Sequence, residues 1–119
     1  MFELLKINNY ELKELNVNNE DEVYALKKDN QILGYGIINN TKENKVEFSI
    51  LEKYRSNGYG KIIFQLLKDK LKDKGYKEIT ITISKENIPA RNIIESQNGL
   101  LISNNKDNMK YVINLRESK

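Results

Sequence analysis

Along the chain the apolar positions change period in a fixed order, and that order predicts the architecture. Residues 2–7 suit a short strand, and the polar stretch 8–21 follows with Tyr10, Leu12, Leu15 and Val17 as its apolar anchors. Residues 23–26 and 32–38 are β-prone runs on either side of a polar turn, 27–31, that contains Asp29 and Asn30; together they predict a hairpin. A second turn, 39–44, leads into a third run at 46–51, so three antiparallel strands in succession are expected. The period then switches. Ile62, Ile63, Leu66, Leu67 and Leu71 have the spacing of a helix that lays one face on a sheet. Asn57 is suited to cap its start and Gly75 its end. Residues 78–83 carry a β-branched side chain at every position after the first, which predicts a strand. Strand, helix and strand in that order form a crossover unit, so 46–51 and 78–83 should lie side by side and parallel. Residues 87–96 predict a short second helix with Pro89 near its first turn, where a missing N–H costs little. Segments 99–103 and 110–115 close the chain as a hairpin around 104–108.

Length and composition narrow the chemistry. A chain of 119 residues fits one domain, 1–119, with a core that needs no disulfide or metal staple. The 39% hydrophobic content, seven Tyr and three Phe agree with that. The net charge of +3 is mild and suits an anionic small ligand, nucleic acid or plain solubility. There is no Cys, which excludes disulfides, thiolate metal sites and a Cys nucleophile. There is also no His, so a Ser-His-Asp triad, a His-bound metal and a His base are excluded together. No metal site is expected, and any catalysis must use carboxylates, hydroxyls, Lys, water or backbone dipoles. Residues 1–6 lack the basic flank of a leader and no 18-residue apolar run occurs, so a cytoplasmic protein without a membrane partner is expected.

The candidate chemistry lies between the third predicted strand and the long helix. Arg55, Ser56, Asn57, Gly58, Tyr59, Gly60 and Lys61 put two glycines where the backbone can approach a ligand, and the unpaired N–H groups of a first helical turn point at it. Such a place favours an anion, phosphate above all. A P-loop would need a glycine where Arg55 stands and a hydroxyl where Ile62 stands. A dinucleotide fingerprint would need a small residue at Ile63 and a place at the start of the fold. Neither fits.

The pattern that fits is Arg-x-x-Gly-x-Gly between a strand and a long helix, and with it the chain resembles the GNAT superfamily of N-acetyltransferases. A second signature, Asn-x-x-Ala followed by an apolar pair and a helix-ending Gly, is matched by Asn87, Ala90, Ile93, Ile94 and Gly99, to within about one residue at the Gly. The likeness runs from about residue 23 to 115. It implies an α+β fold, a mixed and mostly antiparallel sheet of six to seven strands flanked by two to three helices. The region before residue 23 is short for the family and has room for about one of the two helices many members carry there.

The resemblance further implies direct acetyl transfer from acetyl-CoA to an amine, with no acyl-enzyme, a route open to a chain without Cys and His. In the family the fourth strand splays from the fifth and the pantetheine arm enters the slot. By resemblance those strands are 46–51 and 78–83, with Phe48 and Ile50 lining the slot and a backbone N–H near Ile50 or Leu51 polarising the thioester. Residues 54–61 would hold the diphosphate, with Arg55 and Lys61 as its nearest cations or as members of a solvated basic face. Asn87 would fix the pantetheine or simply start a helix. Where the family often has a Tyr that protonates the departing thiolate, this chain has Ile94; Tyr111, Ser96 or solvent are the substitutes. Glu47 is the candidate base, unless strand alternation turns it to solvent. The acceptor is a small-molecule or peptide amine. The competing reading is a non-catalytic module that binds acyl-CoA or a protein, and a homodimer is possible. Nucleic acid is not expected as a partner: Lys68, Lys70, Lys72 and Lys74 alternate with Asp69 and Asp73 on a wet helix face without a stacking platform. Gly34 and Gly36, flanking Tyr35, suggest a bulge, a sheet bend or a close approach to a ligand.

Overall fold

In the computed structural model, residues 1–7, 21–39 and 44–115 are described. The expectation of a shortened helical region before the second strand, and most of the turn 39–44, lie outside them. The elements follow in the expected order: β1 (Phe2–Ile7), β2 (Glu22–Lys28), β3 (Gln31–Asn39), β4 (Lys45–Ile50), a 3-10 turn (Glu52–Tyr54), α1 (Tyr59–Asp73), β5 (Glu78–Ser84), α2 (Ile88–Ser96), β6 (Leu100–Asn104) and β7 (Asn108–Asn114). One seven-stranded sheet runs β1-β2-β3-β4-β5-β7-β6. Only the β4–β5 neighbours are parallel, as the crossover requires.

Local residues explain the joints. Asp29 and Asn30 both take positive φ, 51° and 71°, the backbone of a two-residue hairpin turn that Asp and Asn tolerate. A bulge follows, where the β2–β3 register shifts at Leu26/Lys27. Next to it a Cβ on Gly34 would run into the Ser49 carbonyl of β4, and one on Gly36 would press on Leu67 of α1 at 3.2 Å. The β3 glycines therefore serve strand and helix packing, not a ligand.

Helix α1 buries Ile63, Phe64, Leu67 and Leu71, a stripe turned slightly from the one expected: Phe64 joins it, and Ile62 and Leu66 are only half-buried. Phe64 meets Phe48 of β4 with ring centroids 5.3 Å apart. Gly75 ends the helix as expected, at φ 91°, with the Gly75 N–H bonded to the Lys72 carbonyl and the Tyr76 N–H to that of Leu71. Lys74 then pairs with Glu22 at 2.9 Å, and the Tyr24 hydroxyl donates to the same carboxylate. Burial would raise the Glu22 pKa, but the hydrogen bonds from Lys74 and Tyr24 prevail and hold it below the ordinary value. Burial, then the bond to Glu22, pushes the Tyr24 phenol well above its own.

At the other end the expectation fails. Gly58, at φ 82°, is the N-cap of α1, with no side chain capping it. Asn57 instead donates backwards to the Tyr54 and Arg55 carbonyls, closing the loop on itself.

Register divides the sheet into two faces. Gly36 pairs with Phe48 and Tyr24, and Ile81 with Tyr111, so Phe48, Ile50, Ile79, Ile81, Ile83 and Tyr111 share the face covered by α1 and α2. Glu47, Ser49, Thr82 and Ser84 take the opposite face. Edge strand β6 is exposed at all five positions.

Candidate active site

Strands β4 and β5 share one ladder pair, Lys45 with Thr80, beside a 3.2 Å bond from the Thr80 N–H to the Asn44 carbonyl. Beyond it they part around a cleft of about 390 Å³, lined by Val46, Glu47 and Phe48 on one side and Ile81 to Ser84 on the other. The β3–β4 ladder decides which backbone groups face that gap. The Leu51 N–H donates to the Leu33 carbonyl at 2.8 Å, and in an antiparallel ladder such pairs alternate. The N–H groups of Ser49 and Glu47 therefore point at β3, while those of Phe48 and Ile50 point at the space β5 has left. Leu51, one of the two N–H groups expected to face the thioester, is thus engaged elsewhere.

A second cleft, about 620 Å³, continues from the first through shared Phe48, Asn87 and Ala90. It brings together Phe48, Ile50, Arg55, Ser56, Gly58, Tyr59, Gly60, Lys61 and Asn87, all singled out by sequence, with Tyr54 beside them. Leu51 and Asn57 do not line it. The far wall, Pro89, Ala90, Asn92 and Ile93 of α2, was not foreseen as site. Its signal was the spacing of three from Asn87 to Ala90 to Ile93, one stripe of a helix.

The loop end has the chemistry of an anion site. Because no side chain caps α1, its first-turn N–H groups are free to meet a phosphate, with the positive end of the helix dipole behind them. Ser56, at φ 66°, and Gly58 turn the backbone sharply there. Arg55 donates from Nε to the Ile50 carbonyl at 2.8 Å, which fixes its guanidinium at the rim. The two glycines serve different ends. Nothing lies within 4 Å of a Cβ on Gly58, so its positive φ is the demand; a Cβ on Gly60 would lie 3.1 Å from Ile93 Cδ1, so Gly60 lets α1 approach α2. An elongated cosubstrate, anionic at one end and slender at the other, fits this path.

The acid and base candidates separate. Glu47 is exposed on the face away from the helices, yet it lines the first cleft with Lys45, Thr82 and Ser84, so a group reaching the gap from that face meets it. Tyr111 lines neither cleft. It is 1% exposed beneath α2, its hydroxyl 2.5 Å from Glu95 Oε2, and burial followed by that bond raises its pKa. Ser96 is also absent from both clefts and donates to the Ile93 carbonyl at 2.8 Å. Ile94 is wholly buried. Asn87 is the N-cap of α2, accepting the Ala90 N–H through Oδ1 at 3.2 Å, and at the same time lines both clefts. The turn that closes α2 takes its left-handed residue at Asn98, φ 67°, one residue before Gly99, which accounts for the displaced glycine in the second signature.

Among the described residues there is no acidic cluster able to hold a metal, and no helix is long and apolar enough to cross a membrane. No curated protein sequence matches the chain. Solved structures do. An IAA acetyltransferase from Bacillus cereus superposes with a TM-score of 0.80 at 9% identity, covering 96% of this chain and 99% of that one. The Campylobacter jejuni N-acetyltransferase PseH, in complex with acetyl coenzyme A, gives 0.71 at 16%, with 96% and 99% covered. The ribosomal-protein-S18-alanine N-acetyltransferase of Escherichia coli gives 0.77 at 11%, with 100% and 97% covered. At such identities they establish the shared fold. The sequence itself carries the lineage: the model of the Acetyltransferase (GNAT) family matches residues 2–99, both signatures and the splayed strands included, and the chain belongs to that family.

Proposed function

We propose that this protein moves an acetyl group directly from acetyl-CoA to an amine of a small molecule or peptide. The observation that carries the reading is the meeting of two features in one path: a β4–β5 gap held by a single ladder pair, and the uncapped start of α1 at its mouth. Two structural relatives give it context, since PseH was solved with acetyl coenzyme A and the Escherichia coli enzyme is named for a protein alanine acceptor. When bound, acetyl-CoA supplies an activated thioester carbonyl. The chain supplies the rest. The first turn of α1, Arg55 and Lys61 receive the diphosphate; Phe48, Ile50 and the Asn87–Ala90–Ile93 stripe flank the arm. The Phe48 and Ile50 N–H groups are aimed where negative charge develops on the carbonyl oxygen. Glu47, from the opposite face, takes the proton the attacking amine must lose, directly or through water. Holding both reactants in one gap contributes the remainder of the rate.

A binding role without turnover is the second reading. It is favoured by the burial of Ile94 and the absence of Tyr111 from the lining of both clefts, so that neither position offers a proton donor and in the first reading the departing thiolate takes its proton from water. One experiment separates the two. Acetyl-CoA should raise the melting temperature of the wild type, and Gly58→Asp, whose side chain enters open space and whose residue type tolerates the left-handed backbone at a small cost, should stay folded and lose that shift. Thiol release against a panel of amines should then fall with Glu47→Gln while the shift is kept. A shift that survives in Gly58→Asp sinks the cofactor assignment; binding without thiol release from any amine selects the second reading.

A further inference from the structure

The cofactor path has one wall with little apolar support. Helix α2 has nine residues, one fully buried side chain, Ile94, and two half-buried ones packed on the core, Ala90 and Ile93, and a helix so short is marginal without tertiary contacts. Its inner stripe, Asn87, Ala90 and Ile93, lines the clefts. What holds its outer side is polar. The Tyr111 hydroxyl of β7 donates to Glu95 Oε2 at 2.5 Å, and Arg91, one turn earlier, donates from Nη1 to the Lys85 carbonyl at 3.2 Å. At the C-terminal end Lys68 of α1 donates to Gln97 Oε1 at 2.5 Å. Tyr111 sits opposite Ile81 of β5, and Ile81 lines the gap. The phenol thus stands between the strand that forms one side of the gap and the helix that closes it.

Building on the acetyl-CoA reading, we propose that Tyr111 is a positioning residue: with Glu95, and with Arg91 beside them, it seats α2 against β5 and β7 and thereby sets the width of the cofactor cleft. This gives Tyr111 a role other than proton donation to the leaving thiolate, from which its place beneath α2 removes it. A buried phenol bonded to a carboxylate makes a strong tie: without the hydroxyl the exposed Glu95 carboxylate turns to water and α2 loses that anchor, and without Glu95 the buried phenol loses its acceptor. The consequence is read at a distance, on the other side of α2.

Calorimetric titration with acetyl-CoA tests it, together with amide hydrogen exchange of the unliganded protein. Tyr111→Phe should weaken acetyl-CoA binding by roughly fivefold to tenfold and speed exchange in α2 while leaving α1 unchanged. Glu95→Ala should do the same, whereas Glu95→Gln, which keeps an acceptor oxygen, should bind within about twofold of the wild type. The double variant Tyr111→Phe/Glu95→Ala should be no weaker than either single one, as expected for two halves of one contact. Equal affinity in wild type and Tyr111→Phe overturns the inference, and so does a simple sum of losses in the double variant. If the wild type itself binds no acetyl-CoA, the cofactor reading falls and this one with it, so the two failures are told apart by the first titration.

Discussion

Helices α1 and α2 form facing walls of the same path, yet they are held by different physics. The α1 helix seats four fully buried side chains along fifteen residues; α2 seats one along nine. Both carry a tyrosine–glutamate–cation tie: Tyr24, Glu22 and Lys74 fasten the end of α1 to β2, and Tyr111, Glu95 and Arg91 fasten α2 to β7. In α1 the tie supplements burial. In α2 it adds to one buried side chain and the half-buried Ala90 and Ile93, so the wall that touches the cofactor arm is the softer one, and motion around the ligand should concentrate there.

Three measurements would break or sharpen that contrast. The largest effect is expected from truncating the two buried anchors. Phe64→Ala should cost about 3–5 kcal/mol of global stability, since Phe64 is wholly buried in the core against Phe48. Ile94→Ala should cost less by global melting but more in acetyl-CoA affinity; the reverse order would mean that α2 is as integral to the core as α1. An intermediate effect is expected at the cap. Asn87→Ala removes the only side-chain cap of α2 and should cost about 1 kcal/mol, felt as faster exchange in its first turn and weaker cofactor binding, with α1 unaffected. A uniform rise in exchange over both helices would contradict two separate supports. The smallest effect concerns the α1 tie. The Glu22 pKa is depressed in the fold, so its contribution is present above the ordinary 4.5 and is lost as pH falls through the folded value. Glu22→Gln should therefore melt slightly below the wild type at pH 7, by no more than about 1 kcal/mol, and the gap should close as pH drops below 4.5. A gap that persists in acid would mean that packing, not charge, is what Glu22 supplies.

The contrast was only half visible in the residues. The apolar period from Ile62 to Leu71 and the Gly75 stop announce α1 as a packed helix, although Phe64 was left off its buried face because a stripe counted on sequence spacing can rotate by one position when it meets a real sheet. Nothing in the sequence marks Tyr111 as a support of α2: it lies sixteen positions from Glu95, and only the β5–β7 ladder carries it beneath the helix. Asn57 looked like a cap because its type and place suit one, but the cap went to Gly58, whose positive φ leaves the first turn bare for an anion. Leu51 and Ile50 were indistinguishable as candidate N–H donors. One hydrogen bond to Leu33 separates them, and that bond belongs to the register of β3 on β4.

By itself, then, the sequence determined the order of elements, the crossover, the glycine loop at its turn and, through the absence of Cys and His, the kinds of chemistry within reach. These depend on local periodicity and on residue types, which a chain displays without folding. The tertiary structure decided which face Glu47 takes, which backbone N–H groups look into the gap, how a single ladder pair lets β4 and β5 part, and what holds the second wall in place. Those depend on strand register and on contacts between distant segments, and a shift of one residue in pairing would exchange every inward group for an outward one.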